Sequence, residues 1–298
     1  METLESLQRK LHGAKDLKSV VRTMKIVAAL NIGQYEKAVH SLDDYFRTVA
    51  MGINVYFNQH KIDSLQDSRF TRPRIEKTTT IIVFGSDQGL VGQFNDSLND
   101  FVLQSLKQLS GKIEILTVGE RIQLLLLDAG FPQTKLYSVP NVVTSITPLI
   151  QQLLVECEKR QQNIESNEIF IYHNKPKQGV IYETVSQRLL PLDETWRQSI
   201  TQYSWPTKNI PQVAGSSSKT IAALVHSYLF TLLYKACAES LASENACRLA
   251  AMQRAEKNID ELLEDLTLSY HSLRQYTIDA ELFDVVSGFE AMKNDLKA

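Results

Sequence analysis

The chain has 298 residues, 43% of them hydrophobic and 22% charged, with a formal net charge of −2. That is enough apolar material for about two structural units, and the near-neutral balance excludes a protein whose main work is to neutralise nucleic-acid phosphates. No stretch approaches ~18 uninterrupted apolar residues, and Glu2 and Glu5 stand where a signal or transit peptide is poor in acids. The expectation is a chain kept on the cytosolic side that meets a membrane only through a partner.

From Met1 to Arg72 there is no proline, and Leu4, Leu7, Leu11, Ala14, Leu17, Val21, Met24, Ile26, Val27 and Leu30 recur at helical spacing. One helix of about 50 residues is predicted there. The texture changes after Thr71-Arg72-Pro73-Arg74. Thr78–Phe84 is a β-branched run closed by Gly85, which reads as a buried strand. A helical pattern near Asn95–Leu109, a strand over Lys112–Val118, helices over Arg121–Ala129 and Ile146–Gln162, and strands over Glu168–His173 and Val180–Val185 follow. This alternation implies a small α/β sheet with helices on its faces. Pro191 to Ser218, with Trp196, Trp205, Pro206, Pro211 and Gly215, reads as a loop-rich connection.

Lys219 to Ser287 then runs 69 residues with neither glycine nor proline. A helix of that length extends roughly 100 Å, whereas a compact globule of this chain length is about 50 Å across, so it cannot be enclosed in its own domain. Ile221, Leu224, Val225, Tyr228, Leu229, Leu232 and Leu233 form an apolar stripe that Leu249, Met252, Ile259, Leu262, Leu263 and Leu266 continue, and such a stripe needs a partner helix. Residues 1–25 hold six Lys/Arg against three Asp/Glu, and residues 256–298 hold ten Asp/Glu against four Lys/Arg. Antiparallel packing brings these ends together. Exposed pairs contribute only about 0–1 kcal/mol each, so charge selects direction while apolar burial supplies stability. A hairpin that merely ties a domain together fits the same pattern.

Catalytic chemistry is hard to find. Gly85-Ser86-Asp87-Gln88-Gly89-Leu90-Val91-Gly92 lies between a strand and a helix, where a phosphate loop would lie. Its spacing departs from G-x-G-x-x-G, no Gly-Lys-Ser/Thr is present, and Asp87 lacks a second acid for a metal. The alternatives are a nucleotide loop and a structural turn. Cys157, Cys237 and Cys247 are scattered and read as buried small residues, with neither a disulfide framework nor a zinc site. The six histidines are dispersed, none paired with an obvious carboxylate motif. Glu261, Glu264 and Asp265 read as solvated. Ala236, Ala238, Ser240, Ala242, Ser243, Ala246, Cys247, Ala250, Ala251 and Ala255 mark a region of close backbone approach or simply good helix propensity.

Ser240-Leu241-Ala242-Ser243-Glu244-Asn245-Ala246, then Arg248, Ala251-Met252, Asn258, Glu261-Leu262, Leu266 to Tyr270, Arg274-Gln275 and Val286-Ser287-Gly288 closely resemble the C-terminal signature of the gamma subunit of F-type ATP synthases. Leu7, Arg9, Leu11 and Met24-Lys25-Ile26-Val27-Ala28-Ala29 resemble that family's opening helix, and Ser86 to Gly92 its central S-D-R-G-L-C-G motif. The resemblance is strongest over about 60 C-terminal residues and weak from roughly Gly130 to Thr220. It implies an α/β fold class in which a long antiparallel coiled coil of the terminal helices (1–72 and 219–298) carries an inserted Rossmann-like α/β domain with its connecting loop (73–218). It also implies a rotor without an active site, cofactor or metal. Its partners are the alpha and beta subunits of a catalytic ring, an epsilon subunit and a membrane c-ring, at the cytoplasmic face of a bacterial membrane. Met24, Lys25, Arg274 and Gln275 are the implied ring contacts. Leu30-Asn31-Ile32-Gly33-Gln34 lacks the family's basic cluster, and Gln88, Val91 and Asp279 also depart from its pattern. These mark a divergent, alternate-type member. A small nucleotide-dependent α/β enzyme with helical extensions and a coiled-coil scaffold are the competing readings.

Overall fold

The computed structural model describes residues 3–60, 78–109, 111–132, 134–163, 167–209, 211–212 and 216–295. The change of texture at Thr71–Arg74, the boundary at 72/73 and Gly215 lie outside them. Two long helices bracket the chain, α1 (Leu4–His60) and α6 (Ser217–Asp295). Between them come β1 (Thr78–Phe84), α2 (Phe94–Leu106), β2 (Lys112–Val118), α3 (Glu120–Asp128), β3 (Thr134–Tyr137), a 3₁₀ turn at Val143–Ser145, α4 (Ile146–Asn163), β4 (Asn167–Lys177), β5 (Val180–Leu190) and α5 (Glu194–Thr201). The mixed α/β architecture with long terminal helices is therefore the one anticipated. The short edge strand β3 and helix α5 are additions. Asp193 caps α5 by accepting the Trp196 N–H at 3.0 Å, a turn of helix inside what reads as loop.

The chain divides into two compact units, Ala28–Arg248 and the two terminal stretches together, up to Val27 and from Leu249 on. In the first, five strands lie in the order β3-β2-β1-β4-β5, parallel except for the antiparallel pair β4–β5. The pleat sends Ile81 and Val83 to one face, packed with Leu98 and Val102 of α2 and Ile122 and Leu126 of α3. Ile82 and Phe84 go to the other, into a core shared with α4, α1 and α6. The same core contains Ile53, Tyr228, Leu233 and Ala236, so in this unit the long helices form one layer of an α/β sandwich. Asp43 pairs with Lys235 at 3.2 Å and Asn31 donates to Asn245 at 3.3 Å, which makes them antiparallel.

The second unit is simpler, with helix packed on helix and nothing else. Arg22 bonds Glu256 at 2.8 Å, Lys25 pairs with the same carboxylate, and Lys18 pairs with Asp260. The shielded positions of α1 in this unit alternate by three and four, through Leu4, Leu7, Leu11, Ala14, Lys18, Val21 and Lys25. This is a heptad seam, the period of a left-handed coiled coil. Two seam positions are lysines whose stems are shielded while the ammonium groups reach acids at the rim. Leu17, Ile26, Val27 and Leu30 fall outside the seam and are exposed, so part of the predicted stripe faces outward. Leu262 is likewise exposed, whereas Leu263 and Leu266 stay on the α6 seam. One window of α6 is long and apolar enough to cross a membrane, and half of it is buried inside the protein, so packing accounts for its composition.

Candidate functional site

The crevice where an open α/β sheet binds ligands lies beyond the carboxyl ends of the strands, at the point where strand order reverses. Here that point is between β1 and β4, beside Gly85–Gly92. The loop is built tightly. A Cβ on Gly85 would stand 2.5 Å from Ile122 Cγ2, and on Gly119, at φ +117°, 2.8 Å from the Ser86 nitrogen. The Asp87 carboxylate accepts the backbone N–H of Glu120 at 3.0 Å and of Val139 at 2.9 Å. It therefore caps α3 and leaves little for a cation. Asn95 accepts the Ser86 N–H at 3.1 Å and donates to its hydroxyl at 2.8 Å.

The crevice itself is filled by α6. Ser240 Oγ donates to the Phe84 carbonyl at 2.9 Å and Ser243 Oγ to the Asn174 carbonyl at 3.0 Å, while Glu239 Oε2 lies 2.9 Å from His173 Nε2. The small residues from Ala236 to Ser243 are thus explained by close approach to strand ends, and the loop reads as a structural turn. His173 corrects the view that no histidine pairs with a carboxylate. Sequence reasoning missed this cluster; its one signal is Glu239, an acid inside an otherwise apolar and small run. Nearby, burial raises the Glu244 carboxyl above its ordinary value although Arg248 holds it at 2.7 Å. Burial, then the Glu244 charge, pushes the Tyr35 hydroxyl up to about 12. All three cysteines are free and buried.

The implied ring-contact residues lie in the helical unit and fall into two pairs. Met24 is half-buried on α1 and Lys25 is engaged with Glu256. Hydrogen bonds from Lys25 and then Arg22 hold the Glu256 carboxyl down to about 2. Arg274 and Gln275 are exposed on α6, with no hydrogen bond or ion pair among the described residues. In the antiparallel register each step toward the start of α1 matches a step toward the end of α6, which sets Leu4 opposite the turn carrying Arg274. Beyond that turn α6 has no partner among the described residues, and from Ile278 to Phe289 every residue is exposed, Phe283 at 71%. Glu261, Glu264 and Asp265 face solvent as expected.

A sequence model of the family described as ATP synthase matches residues 3–292. The ATP synthase gamma chain of Bacteroides fragilis is 28% identical over 298 residues, covering 97% of this chain and 99% of that relative. The gamma chain of Rickettsia typhi is 23% identical, covering 98% and 100%. Among solved structures, a chain of Euglena gracilis mitochondrial ATP synthase, in a structure of OSCP, F1 and c-ring, superposes with a TM-score of 0.60 at 16% identity, covering 99% of this chain and 96% of that one. One from the central stalk and c-ring of Tetrahymena thermophila mitochondrial ATP synthase gives 0.57 at 20% identity, covering 79% and 99%. Matched from end to end, the chain belongs to the ATP synthase family that contains these gamma chains.

Proposed function

We infer that this chain is the central-stalk rotor subunit of a membrane-bound F-type ATP synthase, a non-catalytic part that couples ion flow through a membrane c-ring to ATP synthesis or hydrolysis in a ring of alpha and beta subunits. The observation that supports it most is the end of α6, unpaired among the described residues. Exposed Ile278, Leu282, Val285 and Phe289 on one face, with Tyr276 and Phe283 on the other, are costly in water, and a partner's apolar bore relieves that cost. The filled crevice argues against a nucleotide-dependent enzyme. In this reading the protein is a peripheral subunit on the cytoplasmic face of a bacterial membrane, with an epsilon subunit as a further partner. Arg274 and Gln275 face a loop of the catalytic ring, with Met24 and Lys25 near the region that receives torque. Because Lys25 is already paired with Glu256, its part is to fix the coil more than to reach outward.

Purification through a tag on this chain tests the reading. Alpha, beta and c subunits are expected to co-purify, and the chain alone is expected to hydrolyse no ATP. Recovery of the chain by itself from gently solubilised membranes would overturn it.

A further inference from the structure

We propose that Glu239, Ser240 and Ser243 of α6, with His173 of β4, are the positioning residues that lock the long helix to the α/β sheet and so carry rotation between them, an inference that rests on the central-stalk reading. Leu233, Ala236 and Cys237 of α6 share one apolar core with Ile82 and Phe84 of the sheet. Such contact resists separation, and its interdigitated side chains oppose large turns or slides, but it is non-directional and does not by itself fix a single angular setting of the helix. Directional bonds fix that setting. Ser240 is tied to the end of β1 and Ser243, one turn on, to the end of β4; the Glu239–His173 pair makes a third attachment within the same turn. Three bonds to two different strands leave no rotation of α6 that keeps them all.

The environment makes these bonds costly to exchange. Asn174 and Ser243 are 0% exposed and His173 3%, so no water replaces a broken bond and each carbonyl would be left bare. His173 Nδ1 has no hydrogen-bond partner among the described residues. The ring is therefore held through Nε2 alone, by its hydrogen bond with Glu239 Oε2. Further bonds brace the strand end. Asn174 Nδ2 donates to the Phe94 carbonyl at 3.0 Å, and Thr184 Oγ1 donates to Asn174 Oδ1 at 2.6 Å. The joint is thus anchored in β1, β4, β5 and the start of α2.

The test uses the whole complex reconstituted in vesicles, measuring ions pumped per ATP hydrolysed. In Ser240→Ala/Ser243→Ala and in Glu239→Leu, hydrolysis is expected to continue while that ratio falls about threefold or more. Glu239→Gln keeps a hydrogen-bonding partner for His173 Nε2 and is expected to restore the ratio. A ratio equal to wild type in assembled Ser240→Ala/Ser243→Ala complexes overturns the proposal, whatever happens to thermal stability. Failure of that variant to enter the complex also overturns it, since the bonds would then be needed for folding and not for coupling. A wild-type chain found without its ring would instead sink the central-stalk reading, a separate and recognisable failure.

Discussion

The same two helices behave differently in the two halves of the molecule. Between Ala28 and Arg248 they are one layer of a sandwich, and from Tyr228 to Asn245 all residues of α6 but Phe230 and Lys235 are buried. In the terminal unit only the seam is shielded, and Val20, Leu268 and Tyr276 face outward. Both helices run unbroken through the two halves, so the difference lies in what each helix is offered besides its partner. One region draws its stability from within the chain; the other keeps apolar surface in reserve for something outside it.

Truncating side chains in the two regions tests this most strongly. Leu233→Ala, at a fully buried position, is expected to destabilise the isolated chain by about 2–5 kcal/mol in chemical denaturation. Phe283→Ala, on the unpaired stretch of α6, is expected to stay within about 0.5 kcal/mol. Equal costs would mean that the end of α6 is packed in the free protein. Gly85→Ala forces a methyl against Ile122 Cβ at 2.6 Å and is expected to cost about 1–3 kcal/mol, read as a lowered melting temperature. A neutral result would show that the loop yields more easily than its geometry implies.

Acid sharpens the comparison from the other side. The Glu256 carboxyl is lowered from 4.5 to about 2 in the folded chain. Its contribution is therefore complete above 4.5 and is lost as pH falls toward 2. The terminal coil should lose helical circular dichroism over that window, and Glu256→Gln should flatten the response there. The smallest effect is expected from helix glycines with open space around the missing Cβ, Gly13 in one unit and Gly33 in the other. Alanine at either is expected to stabilise by about 0.5–1 kcal/mol. A gain at Gly13 with none at Gly33 would show that the two units unfold separately.

Much of this was legible in the residues. The runs at Thr78–Phe84 and Lys112–Val118 are strands over those same bounds, because both are rich in β-branched residues, which suit a pleated, buried surface. The direction of the coil followed from charge. What escaped has physical causes. The seam passes through Lys18 and Lys25, which an apolar count leaves out although their methylene stems pack well. Helix α5 hides among tryptophan, proline and serine because its capping residue, and not its periodicity, starts it. The attachment of α6 to the sheet joins residues 66 apart through one side-chain pair and uses two main-chain carbonyls, which no residue letter announces.

The overrun of α6 past the start of α1 has a mechanical consequence. Within the terminal unit a two-stranded stretch is followed by a single strand, two elements joined in series. A lone helix is the softer of the two in twist and bend, because no neighbouring ridges have to be dragged past its grooves. An unheld end bears no torque, so the single helix is loaded only where a partner grips it. Gripped there, it takes the larger share of the angular strain and the stretch beyond Arg274 becomes the compliant element of its unit, while the paired stretch below it turns nearly as a rigid rod.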